Sequence, residues 1–414
     1  MDKTIKIAIV HDWLTGMRGG EKCLEVLCEL FPSADLFTLL HKKNSVSKTI
    51  ENMKIKTSFL QNIPGITKSY RNFLPLFPIA IEKFDLRGYD LILSSSHAVA
   101  KGVRINSKAL HISYCYTPAR YAWQFFDDYF SKENFIKKFF ISLVIKNLKK
   151  WDLKSNEKVT EFIAISHYIK NRIKKYYNRN STVIYPPVDT DFPLASAKDS
   201  QQIKINDKPY YLMVSALVPY KRVDLAIKAF NENKKQLVII GSGNEFNKLK
   251  SMARDNIKFL GWLGDETLRE YYTNARALIF PGEEDFGIVP LEAQAYGKPV
   301  IAYASGGALE TIIPFEELDD ARKKENITNY IPKDIHGPTG VFFYSQTVPQ
   351  LNKAIETFEA NIKQFKPENA RENALKFNRS RFKTEIKNFI EEKWLEHSTG
   401  TSAKIGGLQN TVKK

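Results

Sequence analysis

The sequence predicts an α/β fold of two doubly wound parallel sheets. Three observations carry that expectation. Short apolar runs alternate with stretches of 3.6-residue periodicity along most of the chain, the pattern of strands that each feed a helix. Several runs end in glycine- or serine-bearing loops, as at 94–102, 241–243 and 261–263. A proline-stiffened segment, IYPPVDTD (184–191), followed by polar residues 195–208, divides the alternation in two. The reading is therefore one domain over 1–195 and a second over 205–377.

Composition sets the outer limits. The chain has 414 residues and 43% hydrophobic content, enough to bury a sizeable core. No apolar run reaches the roughly 18 residues of a spanning helix, and the opening MDKTIKIAIVHDW enters a strand with no signal-peptide pattern. A cytoplasmic location is expected. Cys23, Cys28 and Cys115 have neither metal-site spacing nor an even number, and read as core residues. The net charge of +16 is lopsided: residues 1–195 hold 30 Lys+Arg against 18 Asp+Glu, the remainder 32 against 28. Between Lys132 and Lys175 stand twelve bases and four acids. Such a face suits an anionic surface such as lipid head groups or nucleic acid, or is plain solvated surface in a lysine-rich protein.

Taken in order, the first strand, Ile7 to Val10, runs into HDWLTGMRGGE (11–21), and Leu24, Leu27, Cys28 and Phe31 mark a helix. Gly16, Gly19 and Gly20 form either a structural turn or a loop that approaches a diphosphate; the spacing is not G-x-G-x-x-G. Further strands are expected at Leu91 to Leu93, His111 to Tyr116 and Phe162 to Ile165. Phe135 to Trp151 is apolar on one side and basic on the other. It is a helix packed on its own sheet, or one lying on an anionic membrane with Phe139, Phe140, Leu143 and Trp151 among the lipids. Asp189 and Asp191 offer a carboxylate pair for a divalent cation, which the family resemblance given below replaces with a hinge.

The second half opens with a strand at Tyr210 to Val214, and Val223, Ala226, Ile227 and Phe230 mark the helix after it. Lys221 and Arg222 sit on the loop between them, where cations would meet phosphates. Strands at Gln236 to Ile240 and Ile257 to Leu260 end in Gly241 and in Gly261, Trp262 and Leu263. The stretch 277–311 then supplies a strand, a loop with Glu283, Glu284 and Asp285, a short helix, a strand at Pro299 to Ala304, and the turn Gly306-Gly307. Ligands of open parallel sheets bind beyond the carboxyl ends of the strands, where these acids and glycines fall. Carboxylates such as Glu284 and Glu292 accept hydrogen bonds from sugar hydroxyls. Glycines let main-chain amides approach a phosphate, and helix N-termini favour one. The pieces suit a nucleotide sugar. Asp285-Phe286-Gly287 is not a kinase feature, since no H-R-D loop accompanies it. A strand at Val341 to Phe343 and helices near 348–364 and 368–394 complete the chain, with 398–414 a loose tail.

The segment EDFGIVPLE (284–292), with its continuation PVIAYASGGALET (299–311), resembles the glutamate, seven residues, glutamate signature of retaining glycosyltransferases of the GT-B fold, family 4. HDWLTGMRGGEK (11–22), SSSHAVAKGV (94–103), YCYTPARYAW (114–123) and SALVPYKRVDLA (215–226) are similar to the branch that includes O-antigen mannosyltransferases. Two positions depart from the pattern. Tyr116 stands where that branch usually has histidine, and Ala216 where the family usually has arginine.

What the resemblance implies is specific. The fold is GT-B, two facing Rossmann-like domains with an interdomain cleft, and a final helix over 378–396 returns to the first domain. The second domain holds a nucleotide-sugar donor, GDP-mannose in preference to others. Glu292 is expected on the ribose, Lys221 and Arg222 on the diphosphate, and Glu284 on the hexose with the backbone of Phe286, Gly287 and Ile288. Gly241 lies near phosphate or ribose, Trp262 and Leu263 near the base, and Gly306, Gly307, Gly19 and Gly20 near the phosphates. His97, Tyr116 and Arg120 belong to the acceptor side. Leaving-group stabilisation carries the reaction with retention and without a metal or other cofactor. The acceptor is a lipid-linked or growing bacterial polysaccharide, reached from a peripheral position on the inner face of the cell membrane through the Lys132–Lys175 region. Two alternatives stay open: another nucleotide-sugar GT-B enzyme, including a sugar-nucleotide 2-epimerase, and a basic nucleic-acid-binding module. The bases are not interleaved with aromatics as in known nucleic-acid motifs, so no nucleic-acid partner is expected.

Overall fold

The computed structural model describes residues 5–119, 123, 135–192, 209–316 and 337–400. They fall into two compact units, Met1–Pro187 with Ser380–Lys414, and Val188–Arg379. The expected boundary at 195–205 and the tail beyond 400 lie outside the described residues.

The first unit is built on a seven-stranded parallel sheet. Its strands are β1 (Ile7–His11), β2 (Asp35–Thr38), β3 (Lys54–Thr57), β5 (Leu91–Ser96), β7 (Leu110–Cys115), β8 (Glu161–Ala164) and β9 (Thr182–Val183), in the order β3-β2-β1-β5-β7-β8-β9. A separate ladder pairs β4 (Asp85–Leu86) with β6 (Arg104–Ile105). β1, β5 and β7 are buried from end to end, as parallel strands covered on both faces must be. Order reverses between β1 and β5, so the turns after these strands open a crevice at the sheet's carboxyl edge.

Helix α1 (Gly19–Leu30) buries Cys23, Leu24, Leu27 and Cys28 along one stripe. Burial pushes both thiols up to about 12, which keeps them protonated core groups. Helix α2 (Phe135–Ser155) turns Ile145 and Leu148 inward and leaves Leu143, Lys146, Lys150 and Leu153 exposed. Trp151 does not reach outward as the membrane-facing expectation requires. Its indole donates to Glu82 Oε1 at 2.7 Å, and its ring lies so close to Gly102 that a Cβ there would sit 2.3 Å away. The side chains of Phe139 and Phe140 lie outside the described residues. The next residue, Asp152, is fully buried and ion-paired to the buried Lys101. It also accepts from Trp123 Nε1 at 2.7 Å and from Tyr177 OH at 2.8 Å, Tyr177 being the last residue of α3 (His167–Tyr177).

The last helix, Arg379–Gly400, completes this unit. Its stripe of Phe382, Ile386, Phe389 and Ile390 is buried, with Phe382 edge-on to Tyr114 at 5.6 Å. Arg381 donates to the carbonyls of Tyr185 and Pro186, and Lys383 pairs with Glu29 at 3.0 Å. No described helix is long and apolar enough to cross a membrane.

The second unit repeats the winding. Strands β10 (Tyr210–Val214), β11 (Gln236–Ile240), β12 (Ile257–Gly261), β13 (Leu278–Phe280), β14 (Val300–Tyr303) and β15 (Gly340–Phe343) are all parallel, ordered β12-β11-β10-β13-β14-β15. The reversal falls between β10 and β13, the strands that precede Lys221 and Glu284. Four helices matter below: α4 (Val223–Asn233), α5 (Asp265–Asn274), α6 (Ile288–Ala295) and α7 (Pro367–Leu375). α4 buries Val223, Ala226, Ile227 and Phe230, the stripe its sequence spacing announces.

Candidate active site

In the second unit the structure brings Lys221 and Glu284 together. Lys221 ends a short turn after β10, Glu284 sits in the loop after β13, and their side chains form an ion pair, 18% and 15% exposed. Coulomb attraction at this partial burial is much stronger than in bulk water, which holds an ammonium and a carboxylate at the reversal point of the sheet. Lys221 Nζ also lies 5.4 Å from the Tyr220 ring centroid.

The acid loop is held by its neighbour. Gly307 N–H donates to Glu284 carbonyl at 2.8 Å, and Ser305 Oγ donates to Glu283 Oε2 at 3.0 Å. The Gly306-Gly307 turn presses main chain against main chain: a Cβ on Gly307 would lie 2.3 Å from Phe286 Cα and its carbonyl oxygen. These glycines thus shape the loop, with the Gly307 amide committed to Glu284 and not offered to a phosphate. Gly307→Ala is expected to cost about 1–3 kcal/mol, because neither backbone can yield without moving the loop. A Tm unchanged from wild type would contradict this close packing.

Gly287, at φ +97, caps α6, so the helix opens at Ile288, with Phe286 buried at 3%. Glu292 projects from the second turn of α6 and accepts from Tyr272 OH at 3.2 Å. Gly241 adopts φ +143 against the Ser215 carbonyl, a place that excludes any side chain. Trp262 stands 77% exposed after β12, with Leu263 beside it. Arg222 donates to Gln346 Oε1 at 2.8 Å and to Asp224 at 3.3 Å, and Gln346 in turn donates to the Pro281 carbonyl at 2.8 Å. Asp189 lies 4.0 Å from Arg269.

The first unit gathers a second polar group after β1 and β5. His11 Nδ1 and Ser95 Oγ are 3.0 Å apart, Ser95 Oγ meets Tyr116 OH at 2.8 Å, and Tyr116 donates to the Gly20 carbonyl at 2.8 Å. Tyr116 is buried, and burial, reinforced by neighbouring groups, pushes its phenol well above the usual range. Its hydroxyl is thereby occupied in tying the Gly19-Gly20 start of α1 to β5 and β7. His97 is more open, its side chain 31% exposed, with Nδ1 held 3.0 Å from Asp12. Asp12 also accepts the amides of His97, Ala98, Val99 and Ala100 at 2.7–3.0 Å. Burial alone would raise the Asp12 carboxyl, but the neighbouring imidazoles and amides outweigh it and hold it far below the usual range. Arg120 lies outside the described residues.

Sequence reasoning named Lys221, Glu284, Glu292, His97 and Tyr116 but missed Asp12, Ser95 and Tyr272. Asp12 had one usable signal, an acid directly after a buried strand and ahead of a glycine loop. Ser95 and Tyr272 act through partners 20 or more residues away, which spacing cannot reveal.

Comparison with known proteins bears on the second unit first. Residues 195–377 match the family described as Glycosyl transferases group 1. An alpha-1,3/1,6-mannosyltransferase ALG2 from Candida glabrata is 28% identical over 210 residues, 39% of this chain and 46% of that protein. A GDP-mannose-dependent monoacylated alpha-(1-6)-phosphatidylinositol monomannoside mannosyltransferase from Corynebacterium glutamicum is 34% identical over 174 residues, 36% of this chain and 46% of that one. The chain spans just under half the length of these curated relatives. Among solved structures, Anabaena HepE in complex with UDP superposes with TM-score 0.65 at 17% identity, over 94% of this chain and all of that one. Sucrose-phosphate synthase from Thermosynechococcus elongatus does so with TM-score 0.66 at 18%, over 95% and 100%. At such identity these two likenesses speak for the fold.

Proposed function

We propose that this chain, whose residues 195–377 match the group 1 glycosyl transferases and whose fold is the GT-B fold of its structural neighbours, is a glycosyltransferase that moves mannose from GDP-mannose onto a polysaccharide or lipid-linked glycan, with retention at the anomeric carbon. The observation that carries this reading is the Lys221–Glu284 pair at the reversal point of the second sheet, with Glu292 one helix turn further in. The ammonium takes the charge that develops on a departing diphosphate, which is the main demand of the reaction. The two carboxylates accept hydroxyls, Glu284 those of the hexose and Glu292 those of the ribose. In this reading the chain's own cations, Lys221 above all, neutralise the diphosphate, and no metal is assigned to it.

Mannose is favoured because several relatives with matching sequence are named as mannosyltransferases, among them the ALG2 protein and the GDP-mannose-dependent enzyme of Corynebacterium glutamicum. The acceptor is assigned to the first unit, where His97 presents a partly exposed imidazole steadied by Asp12. The exposed lysines of α2, with Leu143 and Leu153 among them, support a peripheral position on an anionic membrane that carries such an acceptor.

Thermal shift tests the donor. GDP-mannose at one hundred times its Kd is expected to stabilise the protein by about 2.7 kcal/mol, a rise of several degrees in Tm. UDP-, ADP- and CMP-sugars at the same concentration should give less. A larger shift with one of these would replace the donor, and no shift with any would reject the reading.

A further inference from the structure

Tyr272 has a role that the proposed site leaves unexplained. It lies on α5, 2% exposed, and its hydroxyl donates to Glu292 Oε2 at 3.2 Å. Packing alone would be served by phenylalanine, yet the buried hydroxyl is spent on a carboxylate of the site. Burial and the adjacent Glu292 charge push the phenol well above its usual range, so it stays a donor.

Behind it runs a ladder of rings. Tyr272 stacks on Tyr296 with centroids 5.3 Å apart and planes 4° from parallel, and Tyr296 stacks on Phe192 at 4.3 Å and 14°. Phe192 lies in the segment 188–192, which this unit holds firmly. Val188 N–H donates to Phe377 carbonyl at 2.8 Å. Arg371 of α7 donates to the carbonyls of Thr190 at 2.7 Å, of Phe192, and of Ala295 at 2.8 Å, with its guanidinium 4.8 Å from the Phe192 ring centroid. Ala295 is the last residue of α6, the helix that carries Glu292. The segment, the ladder and the carboxylate therefore form one packed path.

We propose that Tyr272 is a positioning residue that fixes the Glu292 carboxylate for the nucleoside end of the donor, and that the Tyr272–Tyr296–Phe192 stack links this to the seating of residues 188–192. The inference rests on the reading that Glu292 binds the donor. A carboxylate on a flexible side chain must be ordered before it can accept two hydroxyls, and a fixed hydrogen bond lowers that cost in advance. Contacts to the ribose are equal in ground and transition states, so their loss raises KM and leaves kcat nearly unchanged.

The test uses the full chain, with GDP-mannose as the probe. Tyr272→Phe keeps the ring and removes the hydroxyl; donor Kd and KM should rise about tenfold, as for loss of a hydrogen bond to a charged group, with kcat within about twofold and Tm nearly unchanged. Phe192→Ala should raise KM in the same direction by less. In Glu292→Ala, adding Tyr272→Phe should cost nothing further, because the two share one interaction. Unchanged KM in Tyr272→Phe, additive losses in the double variant, or parallel falls in kcat and Tm would overturn the inference. Wild-type protein that binds no nucleotide sugar would instead reject the proposed function, and this inference with it.

Discussion

Lys221→Ala and Glu284→Ala are each expected to lower transfer by at least about a hundredfold while the protein stays folded. Removing one preorganised group aimed at a leaving charge costs roughly 10²–10³ in kcat in comparable sites, and the proposed function gives Lys221 that role. Its loss should appear in kcat more than in KM, since the diphosphate becomes most negative as its bond to the sugar breaks. Glu284→Ala acts differently. It removes the acceptor proposed for sugar hydroxyls and also takes its paired carboxylate from the Lys221 ammonium, 18% exposed. Because the two side chains touch, the double variant should lose less than the product of the single losses. Steady-state transfer with folding checked by circular dichroism decides it. Turnover near wild type in both single variants would remove the site.

Asp152→Ala is expected to cost about 3–5 kcal/mol of stability, the range for stripping one partner from a buried ion pair. The carboxylate is wholly buried, and its removal strands the Lys101 ammonium together with the donors of Trp123 and Tyr177. Lys101→Met with Asp152→Leu should recover much of that loss, because no buried charge remains unpaired. Urea midpoints of the single and double variants give the comparison. A single-variant loss below about 1 kcal/mol would show the pair to be dispensable.

The fold was legible where burial leaves a mark on composition. Ile7–His11, Tyr210–Val214, Gln236–Ile240 and Val300–Tyr303 are strands covered on both faces, and so appear as nearly continuous apolar runs. β2 and β3 left no such mark. Asp35–Thr38 is short, and Lys54–Thr57 lies at the sheet edge, where Lys54 and Lys56 reach across to Asp35 at 3.4 and 2.8 Å. Charged edge residues hide a strand from any hydrophobic pattern. The candidate site divides in the same way. Lys221, Glu284 and Glu292 stand on loops and a helix that the local sequence places. That Gly307 supports the acid loop by main-chain contact, that Tyr116 is occupied by Ser95 and Gly20, and that Lys101 is a buried cation all depend on segments distant in sequence.

The discontinuity of the first unit has a consequence for how the molecule is made. The second unit has all its residues once position 379 leaves the ribosome, whereas the first, begun earlier, still awaits the helix that covers Tyr114 and grips Tyr185 and Pro186. Domains ordinarily mature in the order they are synthesised. Here the older half is the later to finish, so a nascent chain halted before residue 380 would present a finished second half beside a first half whose apolar flank is still bare.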